Sequence, residues 1–396
     1  MGIQVGLVGT GAFAQNFIPL FKAHPLVDRL ILCDLDADKL AANAAKHEIA
    51  DTCPSLEELS TSSVDACILL TQNWLHAPQA IQALKAGKHV YSAVPAGIGV
   101  EEIQQLVETV EQTGLIYMLG ETSYYYPGVV YCRQRQAAGD FGQIVYSEGE
   151  YYHDWDHGLY AVARWRGGEN WRASAGIPPM YYPTHSTSQI ISITDAHMTH
   201  VSCQGFVDQH QDQIYADNNW NNPFSNETAL FKMSDGSSAR INEFRRIGHP
   251  GTVRLALFGT EASFEHNSAG AIWLTKDRDQ RQPLDDQLDC VGVPVQRPGQ
   301  TQEAMDQVSA DDGTHLGVAA VHDVARLPRQ FAGLPNGHAG SHQFLVDDFV
   351  QACAANRQPP NNVWAAARYT IPGIVAHQSA VEGGTLLEIP DCGAPH

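Results

Sequence analysis

The sequence lacks concentrated positive charge. Its 396 residues contain 24 Lys and Arg against 44 Asp and Glu, which gives a formal net charge of −20 at pH 7. Such a chain repels phosphate backbones and anionic lipids, and no cluster of Lys and Arg offsets that repulsion locally. The composition therefore argues against a nucleic-acid-binding protein.

Long apolar runs, a secretory leader and paired cysteines are also missing. Without a run of 18 apolar residues no membrane span is expected, and the first residues have no charged and then apolar leader. The eight cysteines form no C-x-x-C pair, which favours reduced, buried thiols over a disulfide framework or a zinc site. We therefore expect a cytoplasmic protein with no membrane contact and no metal.

The remaining composition describes a folded chain with more than one core. Hydrophobic residues make up 43% and charged residues 17% of the sequence, as in globular proteins. Because a single core seldom serves 396 residues, we expect two domains, at residues 1–122 and 123–396.

A glycine-rich turn near the start predicts a dinucleotide site. An alternating apolar run leads into Gly9-Thr10-Gly11-Ala12-Phe13-Ala14, and helical apolar spacing follows. In this G-x-G-x-x-A pattern, the first glycine makes the turn and the second admits a pyrophosphate. The alanine keeps the helix close to the strand, and the helix N-terminus offers N–H groups to the anion.

The second predicted strand ends at Asp34. A carboxylate there can accept hydrogen bonds from both ribose hydroxyls and would repel a 2′-phosphate. No Arg follows Asp34 in the next several positions, so NAD is predicted rather than NADP.

Strands and helices then alternate to about residue 122, which predicts a parallel sheet with helices on both faces. Ligands of such sheets lie beyond the carboxyl ends of the strands. The residues assigned to the nucleotide in these end segments are Thr71, Asn73, His76, Val94, Pro95 and Glu121.

The second part of the chain has a different pattern. Several alternating runs between residues 144 and 276, broken by turn sequences such as Ser-Asp-Gly, predict a large antiparallel sheet. Residues 277–336 are rich in Pro, Gly, Gln and Asp and are predicted to form a long loop region, before two helical segments. The expected fold is α/β, with a Rossmann domain followed by an α+β domain built on an open, mostly antiparallel sheet.

This layout resembles the Gfo/Idh/MocA oxidoreductase family over nearly the full chain. The resemblance rests on Gly9-x-Gly11-x-x-Ala14, on "GKHVYSAVPAG", on "AAGDFGQI" and on His185. It implies NAD(P)-dependent chemistry on a polyol or sugar substrate, and homo-oligomers (dimers or tetramers) joined through the C-terminal sheet.

Two motifs depart from the usual member of that family. Where the family carries Glu-Lys-Pro, with a lysine near the nicotinamide, this chain has Ala93-Val94-Pro95, and a valine cannot share a proton. Where dehydrogenases pair a histidine with acids as Asp-x-Gly-x-His-x-x-Asp, His185 has Tyr181 and Ser188 at the acid positions. The sequence thus leaves His185 without those carboxylate partners.

These departures resemble a branch of the family, the NAD-dependent glycoside hydrolases typified by an α-N-acetylgalactosaminidase. The segments "EYYHD", "ARWR", "YYPTH" and "GHAG" are similar to that branch, whereas Ser-Thr-Ser-Gln after His185 and Ser341-His342 after "GHAG" differ. The branch oxidises a sugar C3 hydroxyl transiently, eliminates the C1 substituent, adds water and returns the hydride.

His185 and Tyr182 are the catalytic candidates, because an imidazole titrates near neutral pH and a tyrosine can relay a proton. A structural histidine and an ordinary strand tyrosine are the alternatives. For Arg164 and Arg166, on one strand-like face, a structural ion pair is the alternative to substrate contact. The substrate-binding candidates are His153, Asp154, Arg164, Arg166 and His338.

Three functions follow from these residues. The first is an NAD-dependent oxidoreductase acting on a sugar or sugar derivative. The second is an NAD-dependent glycoside hydrolase or lyase that oxidises C3 transiently. The third is a non-catalytic, nucleotide-binding sensor that keeps the fold without the lysine.

Overall fold

The computed structural model describes residues 2–290 and 315–395. Two β-sheets dominate it, one of six strands and one of nine. Helices pack on both faces of the first sheet and on one face of the second.

The six-stranded sheet is parallel throughout, with strand order β3-β2-β1-β4-β5-β6. Its strands are short and mostly buried, as expected when helices cover both faces. They are β1 (Ile3–Val8), β2 (Val27–Cys33), β3 (Thr52–Cys53), β4 (Ala66–Leu69), β5 (His89–Ser92) and β6 (Tyr117–Leu119).

Helices connect these strands, and local sequence sets their ends. Asp36 caps the second helix by accepting the Lys39 backbone N–H at 3.0 Å, and Ser55 caps the third by accepting that of Glu58 at 3.2 Å. Gly114 ends the fifth helix in a left-handed conformation. The helices are α1 (Ile18–Ala23), α2 (Ala37–Lys46), α3 (Leu56–Thr61), α4 (His76–Lys85) and α5 (Val100–Thr113).

The nine-stranded sheet has the order β14-β13-β12-β11-β7-β10-β9-β8-β15. Only the β7–β10 pair is parallel among its described pairs. Its strands are β7 (Ile144–Tyr152), β8 (Met198–Val207), β9 (Phe224–Met233), β10 (Ser238–Phe244), β11 (Thr252–Gly259), β12 (Ala262–Asn267), β13 (Gly270–Thr275), β14 (Arg281–Pro283) and β15 (Leu387–Glu388).

Residues 123–290 and 315–395 form seven further helices. They are α6 (Pro127–Ala137), α7 (Leu159–Gly167), α8 (Trp171–Ala175), α9 (Thr184–Thr194), α10 (Asp285–Leu288), α11 (Gly337–Ala355) and α12 (Val363–Val381). Helix α9 lies directly on the large sheet. A Cβ added to Gly149 of β7 would be 2.6 Å from the Ser186 carbonyl oxygen, so this close approach requires glycine.

Helix α11 returns to the first sheet. Phe349 is fully buried, with its ring 5.6 Å from that of Tyr91 and 6.5 Å from that of Phe21. Helix α11 belongs to the predicted second domain, residues 123–396, yet it completes the hydrophobic core of the N-terminal sheet. The packing therefore does not separate at the predicted boundary, residue 122.

The predicted fold class is confirmed, with a Rossmann sheet followed by a mostly antiparallel one. Two local expectations were wrong. Within the predicted loop region 277–336, residues 281–283 form β14 and residues 285–288 form α10, while 291–314 lie outside the described residues. Arg164 lies on helix α7, not on a strand, because Gly158 ends the preceding turn and allows a helix to begin.

None of the helices within residues 2–290 and 315–395 is long and apolar enough to cross a membrane.

Candidate functional site

A cavity of about 850 Å³ lies where the carboxyl ends of the N-terminal strands face the large sheet. Residues from both parts of the chain line it, as the strand-end rule for α/β sheets predicts. The predicted site residues that line it are Gly9, Gly11, Ala12, Phe13, Asp34, Thr71, Asn73, His76, Val94, His153, Tyr182, His185 and His338.

The glycine turn is shaped by backbone contacts. Gly9 has a φ of +89°, and a Cβ there would be 2.7 Å from the Leu70 carbonyl oxygen, so only glycine fits. Its N–H donates to the Cys33 carbonyl at 2.9 Å, which ties the turn to the end of β2. Ala14 is buried behind the turn and does not reach the cavity.

Asp34 is held as a charged carboxylate beside this turn. It accepts the Thr10 backbone N–H at 2.8 Å and the Thr10 hydroxyl at 2.9 Å, and it pairs with Lys39 at 2.9 Å. Burial alone would raise the pKa of Asp34, but these hydrogen bonds outweigh it and lower the pKa. A glycine turn open to the cavity and an ionised Asp34 at the end of β2 fit the pyrophosphate and ribose of NAD.

The ends of β4 and β5 form the next part of the cavity wall. The His76 ring lies between two carbonyl oxygens, with Nδ1 2.7 Å from that of Pro95 and Nε2 3.2 Å from that of Thr71. His76 thus joins the two strand ends in addition to lining the cavity. Val94 lines the wall at the position where the resembled family has lysine.

His185 has a carboxylate partner that the local sequence did not reveal. Its Nδ1–H donates to Glu121 Oε1 at 2.7 Å, and the Ser123 backbone N–H donates to the same oxygen at 2.7 Å. His185 lies in the first turn of α9, whereas Glu121 directly follows the short loop after β6. The acids of the dehydrogenase motif are absent at positions 181 and 188, but Glu121 from the N-terminal part of the chain gives His185 a carboxylate partner that the local motif did not predict.

The two groups shift each other's titration. Burial alone would lower the pKa of His185, but the charge of Glu121 and its hydrogen bond outweigh burial and raise the pKa. Burial alone would raise the pKa of Glu121, and the opposing effect of His185 lowers it. The carboxylate of Glu121 thus stabilises the protonated form of the His185 imidazole.

Two tyrosines surround the His185 ring. The ring centroids of Tyr182 and Tyr151 are 5.2 Å and 5.3 Å from it, both edge-on. The Tyr151 hydroxyl donates to His153 Nδ1 at 2.6 Å, and His153 Nε2–H donates to the His157 carbonyl at 3.0 Å. Burial lowers the pKa of His153, so this ring is neutral and can accept the tyrosine proton.

A second buried acid lies behind α9. Glu243 accepts the Ser186 hydroxyl at 2.5 Å and pairs with Arg245 at 3.1 Å. Burial raises the pKa of Glu243 to about 7, against the opposing charge of Arg245. Arg245 lines the cavity, and its guanidinium lies 4.8 Å from the centroid of the Tyr151 ring in a cation–π contact.

His338 reaches the cavity from a left-handed turn inside α11. His338 and Ala339 have φ values of 50° and 52°, an unusual conformation for residues other than glycine. Its ring centroid is 5.8 Å from that of Phe13, so the turn lies against the glycine motif. Burial lowers the pKa of His338 to about 4, which leaves the ring neutral.

The structure places some predicted site residues elsewhere. Asp154 accepts the backbone N–H of Asp156 and of Ile247, so it closes a turn and does not line the cavity. Arg164 is exposed and stacks on Trp171 at 5.3 Å. Pro95 and Glu121 also lie behind the lining residues, and the Arg166 side chain is outside the described part of the chain.

Sequence reasoning missed Tyr151, Trp155, Tyr215 and Arg245, all of which line the cavity. Tyr151 stands in the quoted "EYYHD" segment, and strand alternation could have put it on the same face as His153. Arg245 and Tyr215 follow no local motif, because the register of the large sheet and its loops brings them to the cavity.

Comparison with known proteins identifies the N-terminal domain. Residues 3–121 match the model of the Gfo/Idh/MocA oxidoreductase family, NAD-binding Rossmann fold. The match covers the glycine turn, Asp34 and Glu121, and it confirms the predicted NAD-binding domain. In the described residues, no group of three or more His, Cys, Asp or Glu side chains is placed to hold a metal.

Curated relatives include two proteins called glycosyl hydrolase family 109 protein. That of Saccharopolyspora erythraea is 30% identical over 49% of this chain, which spans only 44% of its length. That of Streptomyces filamentosus is 24% identical over 98% of this chain and 77% of its own length.

Solved structures of similar fold include sugar and polyol dehydrogenases. A levoglucosan dehydrogenase complex with NADH and levoglucosan covers 99% of this chain and 100% of its own, with a TM-score of 0.74 and 16% identity. A myo-inositol 2-dehydrogenase from Lactobacillus plantarum covers 98% and 100%, with a TM-score of 0.68 and 16% identity. At these identities the likeness establishes the fold of both domains.

An Asp34→Ala variant tests the nucleotide site. We expect NAD affinity to fall about 10- to 100-fold, because hydrogen bonds to a charged group are lost. Calorimetric titration of the nucleotide-free protein measures the change. Asp38→Ala, which removes an exposed carboxylate of the following helix α2, is the control and should leave the affinity unchanged. Equal affinities for wild type and Asp34→Ala would contradict the assignment.

Proposed function

We propose that this protein uses NAD to oxidise a hydroxyl group of a sugar or sugar derivative. The observation that carries the proposal is the buried His185–Glu121 pair, whose imidazole lines the same cavity as the glycine turn and Asp34. A proton acceptor and a nucleotide site in one enclosed space are what alcohol oxidation requires. The carbohydrate-related names of the relatives and of the structural neighbours support a sugar substrate.

His185 is the proton acceptor in this proposal. Because a carboxylate can only accept hydrogen bonds, Nδ1 of His185 carries the proton and Nε2 is left as the acceptor on the cavity side. Glu121 stabilises the imidazolium that forms when Nε2 takes the hydroxyl proton. Bound NAD supplies the hydride acceptor. The Val94 side chain cannot accept a proton. In this proposal His185 therefore takes the role that the lysine has in the Gfo/Idh/MocA family.

A second candidate function is glycoside cleavage through transient oxidation of the sugar. The two glycosyl hydrolase family 109 relatives favour it. So does a second pair of groups in the same cavity that can transfer a proton, Tyr151 and His153. Elimination needs a base for a carbon-bound proton in addition to the base for the hydroxyl. Tyr151, whose hydroxyl donates to neutral His153, and Tyr182 are placed beside His185 to serve that step.

A panel of sugars, polyols and glycosides tests both candidates. NADH accumulation with added NAD indicates net oxidation, whereas leaving-group release without NADH accumulation, from protein that retains its NAD, indicates cleavage. His185→Ala should lower either rate about 10²- to 10⁴-fold. His197 is not among the cavity-lining residues, so the control variant His197→Ala should leave both rates unchanged. Full activity of His185→Ala, or no turnover by NAD-loaded wild type on any compound, would overturn the proposal.

The pH dependence of kcat/KM tests the role of Glu121. His185 must be neutral to accept a proton, so kcat/KM should rise with pH through the raised pKa of His185, above the ordinary histidine value of about 6.5. Glu121→Gln removes the stabilising charge. It should move this rise to lower pH and reduce the maximum about tenfold or more. An unmoved profile, identical to that of the exposed-carboxylate control Glu58→Gln, would contradict the assignment.

We further propose that the chain forms dimers or tetramers through the open face of the large sheet. Glu148, Arg240 and Leu230 stand in register across β7, β10 and β9, on the face opposite α9. Leu230 and Phe206 on this face are 58% and 61% exposed, and Glu150 pairs there with Arg240 and Arg254. Apolar anchors surrounded by satisfied charges are typical of subunit interfaces.

Leu230→Asp tests this surface, because a buried unpaired carboxylate is unfavourable in an interface. We expect the variant to be monomeric in light scattering coupled to size exclusion, at concentrations where wild type is oligomeric. Val381→Asp, an exposed apolar residue on α12, is the control. A monomeric wild type, or an oligomer unaffected by Leu230→Asp, would rule out this surface.

A further inference from the structure

One wall of the cavity is apolar and belongs to the segment that covers the site. Leu159, Val162 and Ala163 of α7 line the cavity, and their spacing puts them on one face of the helix. Ala175, Ile177 and Pro178 also line the cavity and add to this apolar surface. We call the surface of these six residues the apolar wall.

The apolar wall offers no hydroxyl-binding group. Ser174 is the one polar residue that α7, α8 and residues 176–179 give to the cavity, among their described side chains. Its hydroxyl already donates to the Trp171 carbonyl at 3.2 Å. Tyr151, Tyr182 and His185, which lie together in the lining, carry groups that can bind sugar hydroxyls.

The apolar wall is also built as a fixed surface. Trp155, Ile214 and Tyr215 form a small hydrophobic core, with Leu159 and Ala163 packed against it. Trp155 and Tyr215 also reach the cavity, next to the apolar wall. The Asn219 backbone N–H donates to the Ala173 carbonyl at 2.8 Å, and Asn222 Nδ2 donates to the Gly176 carbonyl at 3.0 Å. Yet Val162 is still 37% exposed, so this wall leaves apolar area uncovered beside the sugar site.

We propose that the apolar wall binds the aglycone of the substrate, and that the substrate is a glycoside with an apolar alkyl or aryl aglycone. A free polyol carries hydroxyls on every carbon and would leave several of them facing Leu159 and Val162 without partners, which is unfavourable. A glycoside places its hydroxylated ring on the His185 side and its apolar group against the wall. This inference rests on sugar oxidation as the proposed function and holds for net oxidation and for cleavage.

A series of alkyl glycosides tests the inference without changing the leaving group appreciably. Methyl, butyl and hexyl glycosides of glucose and of N-acetylgalactosamine are compared as substrates of the NAD-loaded protein. Each methylene buried on the wall should raise kcat/KM, by up to about fourfold. We expect the hexyl glycoside to exceed the methyl glycoside at least about tenfold, since the wall covers only part of the chain.

Val162→Thr keeps the shape of the side chain and replaces a methyl group by a hydroxyl. It should reduce kcat/KM several-fold for the hexyl glycoside and leave that for the methyl glycoside nearly unchanged. Ala161→Thr, on the exposed side of α7, is the matched control and should change neither. Equal losses for both glycosides would mean that Val162 contacts the nucleotide or the sugar ring instead, and would overturn the inference.

Failure of the proposed function is distinguishable from failure of this inference. If no glycoside is turned over, calorimetric binding of the hexyl and methyl glycosides to the NAD-loaded protein replaces the rates. Tighter binding of the hexyl glycoside that Val162→Thr abolishes supports the apolar wall even then. If kcat/KM does not change from the methyl to the hexyl glycoside, the inference about the apolar wall is rejected. The same holds for equal affinities when no glycoside is turned over.

Discussion

The hydrogen bond between His185 and Glu121 connects the two halves of the molecule. Glu121 follows the last strand of the nucleotide-binding sheet, and His185 begins the helix that lies on the large sheet. Its 2.7 Å length requires both elements to be placed within a few tenths of an ångström. The orientation of the imidazole and its raised pKa depend on this contact.

Several buried contacts maintain that placement. Helix α9 lies against β7 at Gly149, where a side chain would collide with it, and Ser186 donates to Glu243 on β10. A Cβ on Gly373 of α12 would be 2.1 Å from the Met180 carbonyl oxygen, so the turn before His185 is equally confined. Most of these groups are fully buried, and an altered contact would leave polar atoms without partners in a medium of low dielectric.

The arrangement separates two kinds of proton chemistry. His185 is paired with an ionised carboxylate, which favours its protonated form, whereas His153 and His338 are neutral because burial lowers their pKa values. Groups in one cavity whose titrations are driven apart can act as base and acid in the same reaction.

By itself, the sequence determined the nucleotide-binding domain. Gly9, Gly11 and Asp34 act through local geometry, a tight turn and a strand end, so their spacing along the chain was sufficient to find them. It also identified His185 and the open antiparallel sheet. Only the tertiary structure decided what surrounds His185. Glu121 and Arg245 are 64 and 60 residues away from it along the chain, Asp154 and Arg164 turned out to face elsewhere, and strand register with domain packing, not local pattern, decides such contacts.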